Sequence, residues 1–367
     1  MTGWRKKVIT VLSALALVLL GCSGQQGAAP PAPAAAPAAP AVRAGAGPLK
    51  LGLSMDTLKE ERWQRDRDLF VKRAGELGAE VLVQSANGND TLQNAQAENL
   101  LTQGVDALVV IPHNLKTTAK IVELAHAAGV PVIAYDRIIR DCDLDLYISF
   151  DNVRVGELQA AELVKRVPRG NYVLIGGAPT DNNALMLREG QLKVLKPFVV
   201  RGDIKIVADQ WAKDWQVVEA LKHAENALTK NANDVQAVVV SNDGTAGGAI
   251  QALAGQNLAG KVAVSGQDAD LAACQRIAQG VQTMTVYKPI DRIAAAAAEA
   301  AVKLARKEAP ATAGRTVHNG FKEVPAILLE PVSVTQENLY PLIVQGGFHR
   351  REDVYKYVPR EQWPAQP

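Results

Sequence analysis

The composition of this chain lacks the marks of a nucleic-acid-binding protein or a cysteine-stabilised protein. The 40 Lys and Arg residues are nearly balanced by 38 Asp and Glu residues, and the formal net charge of +2 indicates no basic surface for DNA or an anionic membrane. Three cysteines, Cys22, Cys142 and Cys274, are too few and too scattered for a disulfide framework or a zinc site. We expect Cys142 and Cys274 to be buried free thiols, and a disulfide between them stays open as an alternative.

Motifs of the common enzyme classes are also missing. No Gly-x-Gly-x-x-Gly opens a helix after the first strand, and the chain has no Walker lysine loop, His-Glu-x-x-His helix or Gly-x-Ser-x-Gly elbow. The five histidines are dispersed along the chain, and we expect them at the surface. The sequence therefore predicts a protein without catalytic residues, cofactor or metal, and an enzyme on the same fold remains an alternative.

The apolar run near the N-terminus is too short to span a membrane. Residues 8–20 follow three basic residues, and thirteen residues at about 1.5 Å each fall short of a bilayer core of roughly 30 Å. The run ends in Leu19-Leu20-Gly21-Cys22, which resembles a bacterial lipobox, in which the cysteine is acylated. We therefore predict a lipoprotein signal peptide over residues 1–22 with Cys22 as the lipid attachment site. Ordinary secretion with cleavage nearby is the alternative.

A segment of biased composition follows the cysteine. Residues 23–48 are almost entirely Ala, Pro, Gly and Gln. Such a segment cannot bury a core, and its prolines favour extended polyproline II structure. We predict a tether that joins the lipid to a folded domain outside the cytoplasmic membrane, with the lipid anchor as the membrane contact.

From Leu49 onward the chain alternates short apolar strands with helices. The period of roughly 25–30 residues is typical of βαβ units. The first series includes a helix predicted over residues 58–77 and extends to about residue 150, and a second series begins near Tyr172. Two successive sets of such units predict an α/β protein with two doubly wound, Rossmann-like lobes and a cleft between their strand ends.

Polar and aromatic side chains recur where these strands end. The apolar strand over residues 132–135 stops at Asp136-Arg137, at the end of a parallel strand where open α/β sheets bind ligands. The other candidates of this kind are Arg62, Trp63, Asn183, Trp215, Asn242, Asp268 and Lys288. Local roles are the alternative for each of them, and Asp243 is predicted to be a helix N-cap instead of a ligand contact.

A carbohydrate matches this set of side chains. A pyranose has vicinal hydroxyls, which planar carboxylate, amide and guanidinium groups can bond in pairs. Its apolar C–H faces suit flat indole rings. Polar groups that are sealed from water give specificity, because a missing hydroxyl leaves a buried partner unpaired.

Several runs resemble one family of sugar-binding proteins. They are Glu61-Arg62-Trp63-Gln64, Ala134-Tyr135-Asp136-Arg137, Ser241-Asn242-Asp243-Gly244 and Ser265-Gly266-Gln267-Asp268. In these runs the chain is similar to the D-xylose-binding proteins of bacterial ABC importers, within the ribose/galactose-type sugar-binding superfamily. The resemblance implies the type I periplasmic-binding-protein fold, with two lobes joined by three hinge crossings.

The resemblance also implies domain boundaries. The N-terminal lobe would comprise residues 49–152 plus about 293–331. The C-terminal lobe would comprise residues 153–292 plus about 332–349. Residues 350–367 would form a tail, for which loose packing is the expectation.

Residue roles and partners follow from the same resemblance. The expected hydroxyl partners are Arg62, Asp136, Arg137, Asn183, Asn242, Asp268 and Lys288, and the expected stacking platforms are Trp63 and Trp215. The implied function is to bind D-xylose or a closely related monosaccharide by hinge closure, as a monomer, and to deliver it to an ABC permease. A sensor that presents its closed form to a chemoreceptor or a sensor kinase is the alternative.

Overall fold

The computed structural model describes residues 47–365. The predicted signal peptide, the lipobox Cys22 and residues 23–46 of the predicted tether lie outside the described residues. Within the described part of the chain, no helix combines the length and the apolar character that a bilayer crossing requires.

The first strand–helix series begins at the first apolar run. Its elements are β1 (Leu49–Met55), α1 (Glu61–Glu76), β2 (Ala79–Ser85), α2 (Asp90–Thr102), β3 (Ala107–Val110), α3 (Ala119–Ala127), β4 (Val132–Tyr135) and β5 (Leu146–Phe150). The central strands β3 and β4 are buried at every position, as expected for parallel strands covered by helices on both faces.

The second series repeats the pattern. Its elements are α4 (Asn152–Arg166), β6 (Gly170–Gly176), α5 (Asn182–Val200), β7 (Ile204–Trp211), α6 (Val217–Lys230), β8 (Ala237–Val240), α7 (Asp243–Gly255), β9 (Ala263–Val264), α8 (Leu271–Ala278) and β10 (Met284–Tyr287). The chain then continues through α9 (Ile290–Ala305), β11 (Thr316–His318), β12 (Glu323–Leu329), β13 (Val332–Thr335) and α10 (Arg351–Val354).

Two parallel sheets define two lobes. A seven-stranded sheet has the order β11-β12-β5-β4-β3-β1-β2, and all of its pairs are parallel except β11 with β12. A four-stranded parallel sheet has the order β7-β6-β8-β9, and β10 pairs with β13 in an antiparallel ribbon. The predicted two-lobed α/β architecture is confirmed. We call the lobe of the large sheet the N-terminal lobe and the other the C-terminal lobe.

The chain passes between these lobes at three places. The first crossing follows β5, the second separates β10 from α9, and the third separates β12 from β13. Helix α9 packs on α1 in the core of the N-terminal lobe, while β10 and β13 pair beside the C-terminal lobe. The exact lobe boundaries given by the sequence stay a prediction.

A close helix contact fixes the start of α5. Glycines at 156 in α4 and 190 in α5 let the two helices touch, because a Cβ atom at either would lie 2.0 Å from a carbonyl oxygen of the other helix. This backbone approach holds α5, whose first turn carries Asn183, against α4.

Three local expectations are wrong. Helix α1 begins at Glu61 and not at residue 58, because Glu60 has extended backbone angles at the edge of the cleft. The tail is not loosely packed, since Val354 is fully buried and Tyr355 and Trp363 join the cluster around Cys274. His349 is buried rather than at the surface. The expectation of free thiols is confirmed, because Cys142 and Cys274 are buried and unpaired.

Candidate functional site

A cavity lies between the two lobes at the carboxyl ends of their strands. Its free volume is only about 20 Å³, well below the roughly 300–1,000 Å³ that is usual for small-molecule pockets, because lining side chains of the two lobes contact one another directly. Its lining residues are Glu60, Arg62, Trp63, Asp136, Arg137, Asp181, Asn183, Trp215, Asn242, Gln267, Asp268 and Lys288. All nine residues that the sequence predicts for sugar contact therefore line one cavity.

Asp136 sits at the end of β4 in an unusual backbone conformation. Its φ of +61° is rare for a residue with a side chain. Its carbonyl oxygen accepts hydrogen bonds from Tyr147 Oη at 3.0 Å, Ser149 Oγ at 2.6 Å and Asn183 Nδ2 at 3.1 Å, which hold this conformation. Asn183 Nδ2 also donates to Asp136 Oδ1 at 2.9 Å, so this contact joins the two lobes.

Asp268 is the matching carboxylate of the C-terminal lobe. Its φ is +97°, and that of the following Ala269 is +53°. The backbone N–H of Asp268 donates to the carbonyl of Val286 in β10 at 2.8 Å. Two carboxylates in strained backbone thus face one cavity from opposite lobes, and such strain is typical of functional sites.

Arg62 joins these carboxylates. Its guanidinium lies 3.1 Å from Asp66, 3.0 Å from Asp136 and 3.3 Å from Asp268, and only 4% of its side chain is exposed. Burial disfavours the charge, but the three carboxylates outweigh it and hold the pKa of Arg62 well above its usual value. Burial likewise opposes ionisation of Asp136, and Arg62 with Lys288 outweighs it and lowers the pKa of that carboxyl.

Lys288 completes this cluster from the second hinge crossing. Its ammonium lies 3.6 Å from Asp136 Oδ2 and 3.3 Å from Asp268 Oδ1, and its side chain is 2% exposed. The chain between β10 and α9 therefore places a cation where it contacts carboxylates of both lobes.

A second chain of polar contacts runs along the cavity wall through Arg137. Its guanidinium Nε lies 2.8 Å from Asp181 Oδ2, and its Nη1 donates to Asp56 Oδ2 at 2.5 Å. Asp56 Oδ1 is 2.8 Å from His113 Nδ1, and Asp181 Oδ2 accepts from Trp215 Nε1 at 3.1 Å. The contact between Arg137 and Asp181 again links the lobes.

The pKa values of the side chains in this series of contacts depend on their burial and their neighbours. The hydrogen bond to Asp56 raises the pKa of His113 above 6.5, against the effect of partial burial. Burial raises the pKa of Asp181. Burial also acts on Asp56, but Arg137 and His113 outweigh its effect and lower the pKa of that carboxyl.

Aromatic and acceptor groups supply the rest of the lining. Trp63 comes from the N-terminal lobe and Trp215 from the C-terminal lobe, and the guanidinium of Arg62 lies 4.2 Å from the centre of the Trp63 ring. Within residues 47–365, four buried oxygens of the lining lack an aligned hydrogen-bond donor, namely Glu60 Oε2, Asp136 Oδ2, Asn183 Oδ1 and Gln267 Oε1. These oxygens can accept hydrogen bonds from hydroxyl groups.

Some lining residues were not among the sequence predictions. Asp181 caps α5 by accepting from the backbone of Asn183, and it also lines the cavity, so a capping role does not exclude a site role. Gln267 precedes Asp268 at the same strand end, a signal that was available in the sequence.

The prediction that Asp243 caps α7 is wrong. Asp243 is not the N-cap of α7, because the Asn242 side chain accepts from Thr245 N at 3.0 Å and fills that role.

The site offers no evident metal ligands. Across the described residues 47–365, no three His, Cys, Asp or Glu side chains are grouped so that they could hold a metal ion. The carboxylates of the cavity instead face guanidinium, ammonium and amide groups, an arrangement suited to a neutral polar ligand.

Comparisons with known proteins agree on the kind of protein. Residues 51–309 match the family described as periplasmic binding protein domain. The chain is 55% identical over 313 residues to the D-xylose-binding periplasmic protein of Escherichia coli, which covers 85% of this chain and 94% of that protein. It is 54% identical to the D-xylose-binding periplasmic protein of Haemophilus influenzae, with 84% and 92% covered.

A solved structure is also similar. A carbohydrate transporter solute-binding protein from Chloroflexus aurantiacus in complex with D-glucose superposes with a TM-score of 0.78 at 32% identity. The match covers 83% of this chain and 98% of that protein.

The ion pair of His113 predicts a pH dependence of stability. Because the folded-state pKa of His113 lies above 6.5, its stabilisation is full below pH 6.5 and is lost as the pH rises through the folded-state pKa. We expect His113→Gln to lower the free energy of unfolding more at pH 6 than at pH 9, measured by urea denaturation. An equal difference between variant and wild type at both pH values would show that His113 is not stabilised as a cation.

Proposed function

Because this chain belongs to the periplasmic binding protein family, we propose that it binds D-xylose in the cavity between its lobes. It is the substrate-binding component of an ABC-type sugar importer and acts outside the cytoplasm. Its relatives are binding proteins, and the proposal includes no catalytic step.

One observation carries the proposal. The lining of the cavity combines two indoles from opposite lobes with carboxylate, guanidinium, ammonium and amide groups, and its carboxylates lie close to its cations. A neutral ring with several hydroxyls can use each of these groups. Its hydroxyls would donate to oxygens that lack an aligned donor, such as Asp136 Oδ2 and Gln267 Oε1, and would accept from Arg62 and Lys288. Its C–H faces would lie against Trp63 and Trp215.

The sugar would bind by hinge closure. The nine proposed contacts come from both lobes, so the complete set exists only when the lobes are together. A ligand that contacts both lobes at once stabilises the closed arrangement by its differential affinity for it. The direct contacts of Arg62 with Asp268 and of Asn183 with Asp136 join the lobes in the closed arrangement.

Delivery and attachment form the remaining parts of the proposal. The closed protein would act as a monomer, dock on an ABC permease in the cytoplasmic membrane and release the sugar there. Acylation of Cys22, followed by the Ala/Pro-rich tether, would hold the domain close to that permease. This lipid anchor is proposed from the sequence Leu19-Leu20-Gly21-Cys22 alone.

The binding prediction concerns Asp136. We expect wild-type protein to bind D-xylose with a Kd on the order of 1 μM. Asp136→Asn keeps the side-chain shape but removes the charge that faces Arg62 and Lys288, and we expect it to weaken binding at least tenfold, roughly the loss of one charge-assisted hydrogen bond. Isothermal titration calorimetry at pH 7 measures both constants.

A control and a panel of sugars sharpen this test. Asp68→Asn changes an exposed aspartate of α1 outside the cavity and should keep wild-type affinity. Titration with D-xylose, D-glucose, L-arabinose and D-ribose ranks the substrates, and tighter binding of another sugar would overturn the choice of xylose. Wild-type affinity in Asp136→Asn would overturn the placement of the site.

The anchor prediction concerns Cys22. If Cys22 carries the lipid, Cys22→Ser expressed in a bacterial host should appear in the soluble fraction, whereas wild type stays with the membranes. Labelling with a radioactive fatty acid should mark the wild type and not the variant. An unlabelled wild-type protein would contradict acylation and favour ordinary secretion.

A further inference from the structure

A buried carboxylate lies directly behind the cavity without lining it. Asp243 is the first residue of α7, next to the lining residue Asn242, and it is 1% exposed. The hydrogen bonds to its carboxylate come from neutral donors, and the nearest cation, Arg276, donates to the backbone carbonyl of Asp243 at 2.9 Å. Sugar contact does not explain this group.

The donors to Asp243 come from two segments that also carry cavity residues. Its Oδ2 accepts from the backbone N–H of Asp270 at 3.1 Å and from Thr285 Oγ1 at 2.7 Å. Its Oδ1 accepts from Gln282 Nε2 at 2.8 Å. One carboxylate thus ties the segment after β9 to the strand β10, which leads into Lys288.

Two further hydrogen bonds hold the segment 267–270 against Asp243 and Thr285. The backbone N–H of Asp243 donates to the carbonyl of Gln267 at 3.0 Å. Thr285 Oγ1, which donates to Asp243, accepts from the backbone N–H of Ala269 at 3.2 Å. The segment is therefore held at both ends and in the middle, on either side of Asp268.

The segment needs such support because its backbone is strained. Asp268 and Ala269 both have positive φ, at +97° and +53°, and residues with side chains adopt such angles only when their surroundings impose them. Asp268 has to keep this conformation for its carboxylate to reach Arg62 and Lys288. The hydrogen bonds of Asp243, which lies outside the cavity lining, help to hold the backbone of this segment in that conformation.

We propose that Asp243 is a positioning residue, which holds the segment 267–270 so that Asp268 points at the bound sugar. This inference rests on the proposed function. It differs from a general stabilising role of an acidic residue at a helix N-terminus, which would affect folding and leave the affinity of the folded protein unchanged.

Asp243→Asn is the direct test. Both carboxylate oxygens of Asp243 accept hydrogen bonds, whereas an amide has only one acceptor oxygen. The NH₂ group of the variant would therefore point at a donor, either Gln282 Nε2 or the donors of Asp270 and Thr285. We expect the folded variant to bind D-xylose about tenfold more weakly than wild type. Burial raises the pKa of Asp243 to about 7, so the calorimetric titrations are run at pH 8 for wild type and variants alike.

A second variant and a control separate positioning from folding. Thr285→Val removes the hydroxyl that links Asp243 to Ala269 and should also weaken binding about tenfold. The double variant should be little weaker than Asp243→Asn alone, because both changes act on one constraint. Asp90→Asn removes the acidic first residue of another helix, α2, and should keep wild-type affinity.

Each result decides the inference. Circular dichroism establishes that each titrated variant is folded, and Thr285→Val alone decides the inference if Asp243→Asn does not fold. Wild-type affinity in the folded variants, or fully additive losses in the double variant, would overturn the positioning role while the proposed function stands. If wild-type protein binds none of the four sugars, the proposed function fails, and the positioning role falls with it.

Discussion

The arrangement of the cleft depends on the neutralisation of buried charge across the two lobes. Arg62 comes from the first helix of the N-terminal lobe, yet one of its three carboxylate partners, Asp268, lies 206 positions later in the C-terminal lobe. An unpaired guanidinium would be costly to bury, so the closed arrangement is stable only with these carboxylates in place. Because a sugar is neutral, it cannot compensate these charges, and Arg62, Arg137 and Lys288 each lie within ion-pair distance of carboxylates of the protein instead.

Strained backbone conformations set the positions of two of these carboxylates. Asp136 and Asp268 both lie just beyond strands, in conformations that local preference disfavours. Hydrogen bonds from Tyr147, Ser149 and Asn183 to the carbonyl of Asp136 impose its conformation, and contacts with β10 and Asp243 impose that of Asp268. The contacts from Tyr147, Ser149, β10 and Asp243 lie within single lobes, so they limit the freedom of the two carboxylates before closure and reduce the entropy lost on binding.

Much of the fold and the lining of the site could be predicted from sequence, because both leave local signals. Alternating apolar strands and helices predict parallel sheets, and polar residues at strand ends, such as Asp136 and Asn242, predict a shared edge. Partners that are distant in sequence leave no such signal. The pairing of Arg137 with Asp181 and the burial of His349 and Tyr355 depend on how separate segments pack. The role of Asp181 was hidden because a helix cap and a cavity residue look alike in sequence.

The central claim is that one sugar contacts both lobes at the same time, and a crystal structure of the protein with D-xylose tests it most directly. We expect the pentose between Trp63 and Trp215, with hydroxyls bonded to Asp136 in one lobe and to Asp268 in the other. A xylose molecule bound to a single lobe, or at a surface away from Arg62, would contradict closure around the sugar.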